Sequence, residues 1–209
     1  MKKLRLIYRI PILVLTISFT LLNACSSDSN VIQDDTINQS LTEADEVALL
    51  FMLEEEKLAR DTYNYLDNLW SINQFSNIKK SEQSHMDAIS NLLEQNDIAY
   101  TILPDGEFEN TELQELYNHF KVEGTNSKSL ALQIGATIED LDIVDLKNFT
   151  KETTNTAIIE VFNSLECGSR NHLRSFVKAI EINGDTYTPE YLNQDEYNSI
   201  ISGTNESCK

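Results

Sequence analysis

Apolar side chains recur at three- and four-residue steps over four long stretches of the chain, the spacing of amphipathic helices that share a core. In the first, Leu49, Met52, Leu53, Ala59, Tyr63, Leu66 and Trp70 form one stripe. It follows Ser40-Leu41-Thr42-Glu43, which has capping-box spacing, and the helix is expected to run to about Trp70. The second stretch, about Ser76 to Asn96, carries Ile78, Met86, Ile89, Leu92 and Leu93. The third carries Leu132, Ile134, Ile138, Ile143 and Leu146, with Ser127 or Ser129 as its cap. The fourth opens at Thr154 and Asn155, carries Ile158, Val161, Phe162, Leu165, Leu173, Phe176 and Ile180, and stops at Asn183-Gly184. Between the second and third, a Pro104-Asp105-Gly106 turn precedes a short helix with Leu113, Leu116, Tyr117 and Phe120 that ends before Gly124. The tail to Gly203, with Tyr187, Pro189, Tyr191, Leu192, Ile200 and Ile201, reads as a loop and short helix packed on the rest. No repeat and no parallel-strand pattern interrupts this. Residues 41–203 are expected to be an all-α domain, a four-helix bundle with a short crossover helix.

The amino terminus departs from the pattern. Lys2, Lys3, Arg5 and Arg9 precede the apolar run Ile10 to Leu22, and no acid occurs before Asp28. This is the build of a secretory signal, too short for a confident membrane span. It ends in Leu22-Asn23-Ala24-Cys25, followed by Ser26, Ser27 and Asp28, which resembles the lipobox of bacterial lipoproteins. The resemblance implies cleavage of residues 1–24, lipidation of Cys25, and residues 25–40 as a polar tether. The protein would then sit in the cell envelope, anchored to a membrane by lipid; Ser26 rather than an acid after the cysteine fits sorting to the outer membrane. Of the remaining cysteines, Cys167 and Cys208 would be free to pair in such a compartment, or to stay as two thiols.

Charge narrows the partners. The whole chain carries 34 acidic against 16 basic residues; cut before Cys25 it keeps 12 basic and 34 acidic, a formal charge of −22. Such a charge disfavours nucleic acid and anionic lipid surfaces as partners, and no nucleic-acid partner is expected. Several of these acids, and two of the three histidines, stand where the helical pattern calls for apolar residues. Glu56 lies four after Met52 and three before Ala59, and Glu54 and Glu55 are turned about 100° per residue away from it. Glu82 lies four after Ile78, and His85 four before Ile89. Glu139 falls between Gly135 and Ile143 at four-residue steps, with Asp142 on the same face. His172 lies seven after Leu165 and four before Phe176. Buried carboxylates cost several kcal/mol apiece without compensation, and few cations are at hand in the chain to supply it. A metal ion would. Carboxylates and imidazoles without thiolates favour iron or manganese, and Glu82-x-x-His85 places both ligand types on one helix face. Neither His-Glu-x-x-His nor Gly-x-Ser-x-Gly occurs, so hydrolase signatures are lacking.

The chain resembles the ferritin-like superfamily of di-metal carboxylate bundles, and more closely a ferritin-like family of unassigned function in prokaryotic envelope proteins. The carriers are Glu54-Glu55-Glu56-Lys57-Leu58-Ala59-Arg60-Asp61, Ser81-Glu82-Gln83-Ser84-His85-Met86, Ile138-Glu139-Asp140-Leu141-Asp142-Ile143, Gly168-Ser169-Arg170-Asn171-His172-Leu173 and Tyr187-Thr188-Pro189. The resemblance implies metal ligation by Glu56, Glu82 with His85, Glu139 and His172. Where the superfamily has a glutamate three residues before the last histidine, this chain has Ser169; Asp142 is the expected substitute, with Ser169 hydrogen-bonding behind it. Glu166 points about 120° away from His172. Simpler roles stand beside these: Glu56 paired with Arg60, His85 and His172 as satisfied core histidines, Asp142 as an exposed acid, His119 as a structural or surface residue, and Tyr63, Trp70 and Phe176 as packing. Two functions are thus expected. One is an envelope lipoprotein binding iron or manganese, an oxidoreductase if it turns over oxygen, peroxide or ferrous ion. The other is a non-enzymatic interaction or scaffold lipoprotein with a vestigial site.

Overall fold

A computed structural model describes residues 41–208; the signal, lipobox and tether expected for residues 1–40 lie outside the described residues. The described chain is all-helical, with six helices and no strand: α1 (Glu43–Trp70), α2 (Asn73–Gln95), α3 (Thr111–Gly124), α4 (Lys128–Glu152), α5 (Thr156–Ile182) and α6 (Gln194–Ser202). Among the described residues no helix is long and apolar enough to cross a membrane.

Local chemistry sets the helix ends. The cap of α1 is Thr42 rather than Ser40: its hydroxyl accepts from the Asp45 amide at 3.1 Å while Asp45 takes the Thr42 amide at 2.9 Å. The reciprocal box therefore begins two residues later than the sequence suggests, with aspartate in the glutamate's place. Asn110, Ser127, Asn155 and Asn193 cap α3, α4, α5 and α6 through their side chains. Helix α2 has no side-chain cap and starts at Asn73, three residues earlier than expected, because α1 ends only two residues before it.

The four long helices pack α1 on α2, α4 on α5, α1 on α4 and α2 on α5, while α3 lies against α1 and α4 and α6 against α5. Their apolar side chains form two clusters rather than one. The first includes Leu58, Tyr63 and Leu66 of α1, Phe75 and Ile78 of α2, Ile134 and Ile138 of α4, and Leu173, Phe176 and Ile180 of α5. The second takes Leu49, Met52 and Leu53, then Met86, Ile89 and Leu93, then Leu146, then Ile158, Phe162 and Leu165. On α1, α2 and α5 the residues between the clusters are the polar ones: Glu55 and Glu56, Glu82 and His85, Gly168 to His172. A polar layer thus crosses the middle of the core.

Three fasteners hold the periphery. Lys57, buried on α1, donates to Asp61 Oδ2 at 2.6 Å and to the carbonyls of Pro104 and Glu107 at 2.9 and 3.0 Å; Asp61 also takes the Gly106 amide at 2.9 Å. Glu54 accepts from the amides of Glu109 and Asn110, each at 2.7 Å. Together they tie the α2–α3 connection to α1. Asp140, fully buried on α4, accepts from the Tyr187 hydroxyl at 2.8 Å and from the amides of Glu190, Tyr191 and Leu192 at 2.6, 3.1 and 2.7 Å, fixing the segment before α6. A disulfide joins Cys167 to Cys208, and Glu206 bridges Arg170 and Arg174 at 2.6 and 2.8 Å, laying the last residues along α5.

Replacing Asp140 by Ala leaves three backbone donors facing an apolar methyl, so Asp140→Ala should lower the unfolding free energy by about 3 kcal/mol or more in urea titration. A loss under about 1 kcal/mol would show that the segment is held elsewhere.

Candidate metal centre

Five side chains from four helices meet in the polar layer as a chain of alternating carboxylates and imidazoles. Glu56 Oε2 is 3.1 Å from His85 Nδ1, and His85 Nδ1 is 2.9 Å from Glu82 Oε2. The other oxygen of Glu82, Oε1, is 2.9 Å from His172 Nδ1, which is 3.3 Å from Glu139 Oε2. Glu82 is therefore shared, and the two imidazoles lie nearly parallel with centroids 5.6 Å apart. Two three-residue donor sets result, Glu56–Glu82–His85 and Glu82–Glu139–His172, the ligand atoms within each all lying within 4.8 Å of one another.

The helix periods explain the convergence. Glu82 and His85 are one turn apart on α2, and the four-residue step from Gly168 to His172 leaves a gap in α5 facing α2. A Cβ on Gly168 would stand 2.8 Å from His85 Nε2, so only glycine leaves room for that ring. Gly135 does the same for Phe176, whose ring would be 2.4 Å from an added Cβ. Its carbonyl and Glu139 Oε1 both accept from the buried Tyr63 hydroxyl, at 3.2 and 2.6 Å.

The layer is short of donors. Each Nδ1 carries at most one proton yet faces two carboxylate oxygens, so the chain cannot hydrogen-bond itself in full. Buried Glu56 Oε1, Glu82 Oε1, Asp142 Oδ1 and His172 Nδ1 have no hydrogen-bond partner; the 2.9 Å approach of the Glu82 oxygen to His172 lacks hydrogen-bond alignment. Electrostatics follow. Burial raises the pKa of Glu56 to about 7 against the pull of His85. It raises Glu139 too, with help from Glu82. For Glu82, burial is outweighed by His172 and His85, which hold it well below the usual carboxylate range. For the imidazoles, burial is outweighed by the flanking glutamates: His85 is driven well up and His172 to about 10. The donor atoms suit a divalent cation: carboxylate oxygens and imidazole nitrogens, buried, convergent and partly unpartnered, with one carboxylate placed between two sets.

Glu56, Glu82, His85, Glu139 and His172 are brought together, and Arg60 turns away from Glu56 to Asp61, Gln83 and Asp105. Asp142 is buried but outside both donor sets, its Oδ2 accepting from Ser169. Glu166 pairs with Arg170 at 2.6 Å, and His119 is exposed. Glu55 differs from expectation. It is 1% exposed, because α1 is covered by α2, α3 and α4 and five consecutive residues from Glu55 to Ala59 are buried. Tyr63 bears on the site through Glu139; its place seven residues after Glu56 was the signal for that. Nothing local in the sequence announces Gly168.

The fold and layer together define an all-helical domain with a carboxylate–histidine core. The chain belongs to the uncharacterized protein domain family DUF2202, which it matches over residues 45–204. It is similar to the uncharacterized protein MJ0754 of Methanocaldococcus jannaschii, 45% identical over 170 residues that span 80% of this chain and 92% of that protein. The crystal structure of hypothetical protein MJ0754 from Methanococcus jannaschii DSM 2661 superposes with a TM-score of 0.79 at 45% identity, covering 80% of this chain and 97% of that one.

In metal-free protein, His172 and Glu56 both have folded pKa values above their unfolded ones. Each contributes stability present below the unfolded value, near 6.5 and 4.5, and lost as pH rises through about 10 and about 7. The urea midpoint in chelator should therefore fall as pH is raised from 6 to 10, and His172→Gln should flatten the upper part of that fall. A midpoint rising over this range would contradict the arrangement.

Proposed function

We propose that the domain is a ferritin-like four-helix bundle that binds a pair of divalent metal ions, iron or manganese. Glu56, Glu82 and His85 would hold one ion, and Glu82, Glu139 and His172 the other. The observation carrying this reading is Glu82: a buried carboxylate whose two oxygens face two different imidazoles, within a layer whose acceptors outnumber its donors. Two cations would satisfy Glu56 Oε1, Glu82 Oε1 and His172 Nδ1 at once, and would replace protons held on the raised carboxyls and imidazoles.

The protein's own contribution is placement. Tyr63 donates to Glu139 and sets the orientation of that carboxylate, as partners of ligating groups do. Gly168 lets the His85 ring lie flat against α5. Apolar clusters above and below exclude bulk water. A bound iron or manganese pair supplies one-electron redox and Lewis-acid chemistry, which suits oxygen, peroxide or ferrous ion as substrates. The lipobox reading at Cys25 would display this domain at the cell envelope. Ser169, where the superfamily places a carboxylate, favours a second reading: a scaffold lipoprotein whose imidazole–glutamate pairs are self-sufficient.

Metal analysis of residues 26–209 refolded with manganous or ferrous ion separates the two. Two ions per chain are expected, corresponding to the two donor sets, with loss of both in a Glu82→Ala variant because that side chain is shared. Equal and negligible metal in the two proteins would establish the scaffold reading.

A further inference from the structure

A second group of acids leads away from the layer on the α1–α4 side. Glu55 is fully buried, and its polar neighbour is another acid, Asp145, rather than an amine, an amide or a hydroxyl. Asp142, buried on α4, has Oδ2 held by Ser169 and Oδ1 without a partner. Asp145 stands one helical turn beyond Asp142 on α4 and is half-buried. Among the described residues these acids do not gather into a third donor set. The strongest charge acting on Glu55 is Asp145, then Glu56; those acting on Asp142 are Glu56, then Glu55; and Tyr191 feels both Asp145 and Glu55. The main charges acting on Glu55 and Asp142 are those of other acids.

Such a file has no use in packing. Carboxyl groups buried against one another cost stability, and apolar residues of similar size would serve the core better. What it does provide is a succession of carboxyl groups from half-buried Asp145 to Glu56, whose protons an entering cation would displace.

We propose that Asp145, Glu55 and Asp142 form the route by which a divalent cation passes from the surface between α1 and α4 into the paired site. The route rests on the metal-binding reading above. A cation would exchange water for carboxylate oxygen first at Asp145, be drawn inward by Glu55, and reach the first donor set at Glu56 beside Asp142. Because Asp145, Glu55 and Asp142 stand outside both donor sets, the route should govern how fast the site fills and not how many ions it holds.

The test is stopped-flow loading of metal-free protein with cobaltous ion, read by its ligand-field absorbance, on wild type, Asp145→Asn, and Glu55→Gln with Asp145→Asn. Loading should slow by about tenfold or more in the double variant and by a smaller factor in the single one, with the final cobalt count unchanged. Asp145 is half-exposed, so its variant tests the route even if the buried replacement disturbs folding. Unchanged rates in both variants, with full loading, would overturn the route and leave the metal site standing. Failure of wild type to take up cobalt would overturn the metal site, and the route with it.

Discussion

Everything in this fold is arranged around a desolvation problem: four helices bring Glu56, Glu82, Glu139, Asp142, His85 and His172 into a layer that divides the apolar core in two. Two imidazolium groups cannot balance four carboxylates, and the buried lysine of α1, Lys57, is committed to Asp61 and two carbonyls. Protons on Glu56, Glu139 and Asp142 relieve part of the deficit, as their raised pKa values record. Metal would relieve it more completely, and in the proposed reading that exchange of protons for cations is the function.

A core interrupted this way needs strength at its edges. The fasteners around Lys57 and Asp61, around Asp140, and at the Cys167–Cys208 disulfide differ from the central layer in one respect: their acids are matched by donors. Asp140 and Asp142, two residues apart on α4, show the contrast. Asp140 meets four donors from the tail, whereas Asp142 meets Ser169 alone and keeps an oxygen free. Matched acids hold structure together, and the unmatched ones are those the proposed ions would satisfy.

Helical periodicity made the long helices legible in the sequence, and polar residues out of place on apolar stripes pointed to the five residues that converge. Both signals work because one face of each helix meets one interior. They failed at α1, where three neighbouring helices bury Glu55 along with Glu56, so a rotation of 100° no longer leads to solvent. The same limit hid Asp145, whose significance depends on what α1 places opposite it. The roles of Asp140, Lys57 and Asp61 were equally unreadable, since their partners are backbone groups of loops 45 to 52 residues distant. Ser169 is instructive in the other direction: standing where the pattern that the chain resembles has a glutamate, it puts a hydroxyl against Asp142.

The most direct test is anomalous diffraction at the manganese edge from crystals of the domain grown with manganous ion. Two interior peaks flanking Glu82, one in contact with Glu56 and His85 and the other with Glu139 and His172, are the predicted result. An interior with no peak, in which the imidazoles keep their contacts to the three glutamates, would contradict it.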